Sequence, residues 1–137
     1  MIQPANTTPC TTGYGNVEPV LNEVLHALDR LIETREPTVI DLASLPFGPG
    51  ELDNLEVRLG EGELTAELNA LGLSRIRETA FPGVWWLEHR NTDDEVVGRY
   101  IEITRTPEIL KSQDADIQAG RAQLVDALSA DRADEVT

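Results

Sequence analysis

The stretch Ile76–Glu88, with the sequence IRETAFPGVWWLE, constrains the fold most, because it joins two strand-forming segments by a turn signal and contains both tryptophans. Pro82 has no N–H to donate to a β-ladder and Gly83 tolerates positive φ, so we expect the chain to reverse there. Successive strand residues point to opposite faces of a sheet. Trp85 and Trp86 therefore face opposite ways, and one ring lies away from the main core unless helices cover both sides.

The residues before the turn also alternate, so that Ile76, Glu78 and Ala80 share one face of the predicted strand. Glu78 then lies on an apolar face, where an unpaired carboxylate is costly, and a cationic partner is expected. Arg99 and Arg77 are the candidates, and we predict a buried ion pair between Glu78 and Arg99. Its role is structural, because no second catalytic group accompanies it.

Hydrophobic periodicity predicts the other elements. Apolar residues at three- and four-residue spacing indicate an amphipathic helix over 17–34, with Asn16 as its N-cap. The β-branched run Thr38–Leu42 indicates a strand buried on both faces, and Pro49-Gly50 opens a short helix that ends at Gly60. The later elements are a half-buried strand at Leu64–Leu68, strands at Arg75–Ala80, Val84–Arg90 and Val96–Arg105, and a helix from Asp114 to Leu128.

This order of elements predicts an α+β fold, in which a mixed, largely antiparallel sheet packs with helices in a single domain. A chain of 137 residues is long enough to bury a core without disulfides or metals. We assign residues 16–128 to the domain. Residues 1–15, rich in Thr, Pro and Gly, are predicted to be a mobile arm, and residues 129–137 a polar tail.

The charge balance narrows the classes of partner. The chain has 25 acidic and 11 basic residues, for a net charge of −14. Nucleic acids and anionic membranes attract Lys and Arg, so we expect neither as a partner. An acidic surface suits a basic or hydrophobic protein partner, and it serves solubility equally well. The amino terminus has neither the basic nor the apolar segment of a secretion signal, which favours a cytoplasmic protein.

The residues that could carry chemistry are few. Cys10, His26 and His89 are the candidate metal ligands, and their scattered positions predict no metal site and no cofactor. Cys10 has no nearby base or helix N-terminus to activate its thiol, so we predict no catalytic residue and no enzyme. A small redox or iron-handling protein acting through Cys10 is the main alternative. An acidic mimic of nucleic acid is a third.

The turn itself is the candidate partner site. Either both indoles belong to the core, or one of them forms an exposed anchor with the neighbouring phenylalanine, as aromatic hot spots do in protein interfaces. An unprotected strand edge could also accept an extended peptide by β-augmentation. The predicted partner-binding residues are Phe81, Pro82, Gly83, Trp85 and Trp86.

Three segments carry a family resemblance: GNVEPVLNEVLHALDRLIETREPTVIDLASLPF, GEGELTAELNALGLSRIRETAFPGVWWLEH and IEITRTPEILKSQ. Among them RETAFPGVWW is the most specific. Through these segments the chain resembles the C-terminal conserved domain of the HyaF/HupH (HoxQ- and HoxT-like) family of hydrogenase expression and maturation proteins.

The resemblance implies a non-enzymatic chaperone for nickel–iron hydrogenase assembly. It implies binding to a hydrogenase precursor, the iron–sulfur small subunit, in the cytoplasm before twin-arginine export, often together with a HyaE-like thioredoxin-fold chaperone. Typical members carry a further domain before this one, so the resemblance implies either a short, HoxT-type member or one part of a longer protein. It transfers no site residue, and the assignment at Phe81–Trp86 depends on this sequence alone.

Overall fold

A computed structural model describes residues 15–136 of the chain, so Cys10 and nearly all of the predicted arm lie outside the described residues. The described chain forms two compact units, of which the first ends at Arg105 and the second begins at Thr106. The first unit contains two α-helices and a five-stranded sheet, and the second contains one α-helix. The predicted α+β class is confirmed. The predicted domain boundaries stay a prediction.

Helix α1, Val17–Thr34, has the predicted bounds, and its core-facing stripe follows helical spacing. The helix ends at Arg35, which adopts a left-handed conformation with φ 67° and donates its N–H to the Leu31 carbonyl oxygen at 2.9 Å. Asn16 occupies the predicted N-cap position, but its side chain makes no capping hydrogen bond. Asn16 is itself helical in φ and ψ, and its side-chain amide donates to the carbonyl oxygen of Pro46 at 2.9 Å instead.

Helix α2, Glu51–Leu59, starts and stops at the predicted glycines. Gly50 and Gly60 both have positive φ, a conformation that glycine adopts without steric cost. The Gly60 N–H closes the helix by donating to the Glu56 carbonyl oxygen at 3.1 Å. Leu55 and Leu59 are the buried residues of this helix.

The strands form one sheet in the order β1-β5-β4-β3-β2. They are β1 Thr38–Asp41, β2 Thr65–Asn69, β3 Leu73–Glu78, β4 Val84–Arg90 and β5 Val96–Ile103. A short 3-10 turn, Leu42–Ser44, follows β1. The expectation of a mixed sheet is refined, because all four ladders between these strands are antiparallel. The chain therefore runs as a meander from β2 to β5, and β1 pairs on the far side of β5.

Two burial predictions fail at the edges of this sheet. β1 is not buried on both faces, because Ile40 enters the core while Val39 is exposed. In the predicted half-buried strand, Ala66 is packed, but Leu64 and Leu68 are exposed. A short apolar run does not distinguish a central strand from an edge strand, which has a neighbour on one side only.

The two faces of the sheet carry separate apolar clusters. The larger cluster joins the sheet to α1 and α2 and includes Val84, Trp86 and Ile101. The smaller one, on the opposite face, consists of Ile76, Trp85 and Leu87, with Ala66 and Tyr100 packed against it. The predicted divergence of the two indoles is confirmed.

The second unit contains a 3-10 turn, Glu108–Leu110, and helix α3, Asp114–Val136. The helix continues through most of the segment that the sequence suggested as a polar tail. Its side chains between Asp114 and Arg132 are all exposed. Across the described part of the chain, no helix is both long enough and apolar enough to cross a bilayer.

Candidate functional site

The β3–β4 turn is a tight reversal closed by backbone hydrogen bonds. The Val84 N–H donates to the Phe81 carbonyl oxygen at 3.0 Å, and the Thr79 N–H donates to the Val84 carbonyl oxygen at 3.0 Å. Gly83 has φ 94°, which with Pro82 before it is the pattern of a type II turn. The Pro82-Gly83 pair therefore forms the predicted reversal, and Phe81 is the first residue of the turn.

A buried threonine hydroxyl holds the turn from inside. Thr79 is 1% exposed, and its Oγ1 donates to the Val84 carbonyl oxygen at 2.9 Å. Oγ1 of Thr79 also accepts a hydrogen bond from the Phe81 N–H at 3.2 Å. Because both hydrogen bonds lie within the turn, the position of the Phe81 backbone is fixed before any partner arrives.

The turn is also attached to both helices of the first unit. The Ala80 N–H donates to the carbonyl oxygen of Leu59, the last residue of α2, at 2.9 Å. Gly83 lies so close to α1 that a Cβ atom there would be 3.4 Å from Cδ2 of Leu28. The turn thus sits against the two helices and cannot swing away from them without breaking these contacts.

Phe81, α1 and α2 together form an open apolar groove. Its volume is about 280 Å³. Phe81 is 49% exposed and forms one wall. The lining residues are Leu21, Val24, Leu25, Leu28, Arg58, Leu59 and Phe81.

Helix α1 supplies most of the groove because it has apolar residues on more of its circumference than the core uses. One stripe, which includes Val20, Val24 and Leu31, is buried. A second flank comprises Leu21, Leu25 and Leu28, also at helical spacing, and of these Leu25 is 54% exposed. The sequence carried this signal, since the apolar set of 17–34 is broader than one core-facing stripe, but the prediction did not use it.

The single charged residue among the lining residues is engaged in an ion pair. Arg58 Nη1 lies 2.6 Å from Oε2 of Glu18, which joins α2 to the first turn of α1. Both side chains are substantially exposed, so the pair contributes little to stability. Its effect on the groove is to leave an apolar surface without a free cation.

The structure separates the predicted partner-binding residues into two groups. Trp85 is 6% exposed and Trp86 is 3% exposed, so both indoles belong to the core and the alternative of an exposed indole anchor does not hold. Each ring is covered on its own face of the sheet. Phe81 and Pro82 remain exposed at the turn, and their role in binding stays a prediction.

Trp86 is held by a cation on the neighbouring strand. The Arg77 guanidinium lies 5.7 Å from the Trp86 ring centroid, at cation–π distance. It also contacts Glu56 Oε2 at 2.7 Å and donates to the Gly60 carbonyl oxygen at 2.9 Å. Arg77 therefore links the sheet to the end of α2, just behind the groove.

Trp85 makes the corresponding attachment on the other face. Its Nε1–H donates to the Thr104 carbonyl oxygen at 3.1 Å. The Thr104 N–H in turn donates to the Gly83 carbonyl oxygen at 2.9 Å. The indole thus stabilises the turn from behind instead of presenting a surface.

The predicted ion pair of Glu78 with Arg99 is wrong. Strand register places Glu78 opposite Trp85 and Arg99 opposite Glu88, on different faces of the sheet. Arg99 pairs with Glu88 Oε2 at 3.2 Å, while Glu78 is only half-buried. Arg77, the other candidate partner, is next to Glu78 in sequence and so points to the opposite face.

The remaining candidate ligands are scattered. His26 is exposed on α1, and Nδ1 of His89 lies 2.7 Å from the Ser74 hydroxyl. Within the part of the chain that the structure describes, no group of three or more His, Cys, Asp or Glu could hold a metal ion. Cys10 lies outside that part.

The fold and the groove define a small α+β module with an apolar surface site framed by two helices and a turn. Residues 15–130 match the family of the HupH hydrogenase expression protein, C-terminal conserved region. The chain belongs to that family, and the resemblance predicted from sequence is confirmed.

Relatives and a solved structure agree with this assignment. The hydrogenase expression/formation protein HoxQ of Azotobacter vinelandii is 34% identical over 114 residues, which are 82% of this chain and 40% of the relative. HupH of Rhodobacter capsulatus is 33% identical over 94 residues, or 69% of this chain and 34% of the relative. The solved structure of the hydrogenase expression protein HupH from Thiobacillus denitrificans has a TM-score of 0.82 and 45% identity, covering 85% of this chain and 97% of that one.

Proposed function

We propose that this protein is an accessory factor in hydrogenase maturation that binds a hydrogenase precursor, the iron–sulfur small subunit, through the groove at Phe81. The relatives are named hydrogenase expression or formation proteins, and the chain spans well under half of the length of HoxQ and HupH. The names of these relatives support a role in hydrogenase maturation. The partner and the binding site are our inference, and they depend on the apolar groove at Phe81.

The chemistry of the groove favours a protein partner over a small metabolite. Small-molecule sites combine apolar walls with a few convergent polar groups that orient the ligand. Here the lining is apolar, and the charge of Arg58 is already engaged by Glu18. Burial of apolar side chains against such a surface is favourable, and no particular polar group is needed to orient the partner.

The placement of Phe81 is that of an interface anchor. Interface hot spots are enriched in aromatic side chains near the centre of the interface, and a side chain whose position is already fixed loses less entropy on binding. The ring stands on a turn fixed by Thr79 and attached to α2, with exposed Leu25 facing the same groove. A partner would therefore meet a preformed apolar surface.

Co-purification tests the proposal. The tagged small-subunit precursor, with and without its signal peptide, should recover this protein from solution, and Leu25→Ala should reduce recovery by about tenfold or more. Val57→Ala is the matched control, because Val57 is a 77% exposed helical residue that does not line the groove. If neither form of the precursor recovers this protein, while this protein robustly binds an unrelated protein, the proposal is contradicted.

A cysteine variant separates this function from redox or iron chemistry. Cys10→Ser should bind the precursor as the unmodified protein does, because the proposed contact uses no thiol. Loss of precursor maturation with retained binding in this variant would instead support a function of Cys10. A HyaE-like thioredoxin-fold chaperone, added to the same mixture, would be expected to join the cytoplasmic complex without displacing the precursor.

A further inference from the structure

The second surface that could meet another polypeptide is the free edge of β2. β2, Thr65–Asn69, is the last strand of the sheet and pairs with β3 alone. Four of its five residues are exposed. A strand in this position presents unpaired backbone groups and can template another strand.

The direction of these backbone groups follows from the hydrogen bonds at both ends of β2. The Leu64 carbonyl oxygen accepts from the Glu78 N–H at 2.9 Å, and the Ala70 N–H donates to the Gly72 carbonyl oxygen at 3.1 Å. Even-numbered residues between them therefore point their N–H and C=O groups toward β3, because these directions alternate in an antiparallel ladder. Thr65, Glu67 and Asn69 point theirs outward.

The edge lacks several of the usual protections against pairing. The β2–β3 ladder runs without a register shift, and the strand contains neither proline nor lysine. The opposite edge is different, because β1 has four residues, follows Pro37 and ends in the 3-10 turn at Leu42–Ser44. β2 is therefore the edge that is open to an added strand.

The side chains of the edge specify what kind of strand fits. Leu68 in β2 and Leu64 just before it are exposed on one face of the strand, beside the packed Ala66. Glu67 lies on the other face, and exposed Glu61 and Glu63 precede the strand. Arg75 pairs with Glu67 at 3.1 Å, whereas Glu61 and Glu63 form no ion pair within the described residues.

We propose that the β2 edge binds an extended protein segment in which apolar residues alternate with Lys or Arg, adding it to the sheet as a sixth strand. The apolar side chains would lie beside Leu64 and Leu68, and the basic ones on the side of the carboxylates. Backbone hydrogen bonds from Thr65, Glu67 and Asn69 would hold the segment. This site is distinct from the Phe81 groove and does not depend on it.

Amide hydrogen exchange with defined peptides tests the proposal. An eight-residue peptide of alternating Val and Lys should slow exchange at Thr65, Glu67 and Asn69 by about tenfold at saturation, since these amides become hydrogen-bonded. The same peptide with alternate backbone nitrogens methylated, and a Val–Glu peptide, are the controls. Equal binding of the methylated peptide would overturn strand addition, and equal binding of the Val–Glu peptide would overturn the charge preference.

A proline substitution tests the edge in the protein itself. Thr65→Pro removes an outward N–H without breaking the β2–β3 ladder, because edge positions of this kind tolerate proline. It should weaken peptide binding about fivefold, whereas Thr65→Val, which keeps the N–H, should not. Unchanged binding in a folded Thr65→Pro protein would contradict the proposal.

Two further outcomes are decisive. Protection of the three amides that rises with protein concentration, without peptide, would show that a second copy occupies the edge and would overturn the proposed occupant. Phe81→Ala should leave peptide binding intact. If it abolishes peptide binding in a folded protein, the peptide binds at the groove and the edge proposal fails, while the proposed function stands.

Discussion

The tip of the β3–β4 turn and the two tryptophans just behind it are adjacent in sequence and opposite in physical role. Phe81 is half-exposed beside an open groove, whereas Trp85 and Trp86 are almost fully buried on the two faces of the sheet. One short segment therefore contains the surface that we propose for partner binding and the buried residues that fix it. Aromatic content alone does not indicate which residues do which.

The difference teaches how the site is kept rigid. Trp86 packs in the main cluster beneath α1 and α2. The Nε1–H of Trp85 donates to the Thr104 carbonyl oxygen, and the Thr104 N–H donates to the Gly83 carbonyl oxygen. The turn is therefore held from both faces of the sheet. Changes to the buried residues should therefore alter stability, and changes at the tip should alter binding.

Removal of Trp86, the buried tryptophan of the larger apolar cluster, should have the greatest effect on stability. Trp86→Ala should lower the free energy of unfolding by about 3–5 kcal/mol, because it leaves a cavity in the main cluster and removes the ring beneath Arg77. Urea denaturation followed by circular dichroism measures this loss. A loss below about 1 kcal/mol would show that the main cluster does not depend on this ring.

The hydroxyl inside the turn should have an intermediate effect. Thr79→Val keeps the shape but removes the acceptor for the Phe81 N–H and a donor to Val84, so we expect a loss of about 1–3 kcal/mol. Thr79→Ser, which retains the hydroxyl, is the control and should lose less. A larger loss in Thr79→Ser than in Thr79→Val would mean that the methyl group, and not the hydrogen bonds, stabilises the turn.

The exposed tip should have the smallest effect on stability. Phe81→Ala should change the free energy of unfolding by about 1 kcal/mol or less, since half of the ring already contacts solvent and the turn hydrogen bonds use only the backbone. Thermal unfolding of the Phe81→Ala and Trp86→Ala variants, measured under the same conditions, compares the two losses of stability. A loss as large as that of Trp86→Ala would remove the distinction between tip and anchors.

Local signals in the sequence were sufficient for much of this region. Pro82-Gly83 predicted the turn, period-two alternation predicted that the indoles diverge, and Gly60 predicted the end of α2. Each of these depends on residues close together in the chain. The bounds of β4, Val84–Arg90, were correct for the same reason.

Several of the failures required knowledge of how distant segments of the chain pair. Arg99 meets Glu88 because β4 and β5 are in one particular register, which no local pattern of the two strands specifies. Burial of Trp85 and exposure of Val39 likewise depend on strand order and on what covers each face. The groove was missed because it needs α1, α2 and the turn side by side.

The affinity of the small-subunit precursor for Phe81→Ala tests the central claim most directly. Isothermal titration should show a loss of about 2 kcal/mol or more in binding, roughly thirtyfold in Kd, while Val57→Ala binds as the unmodified protein does. An affinity for folded Phe81→Ala within about twofold of the unmodified protein would show that the partner binds elsewhere.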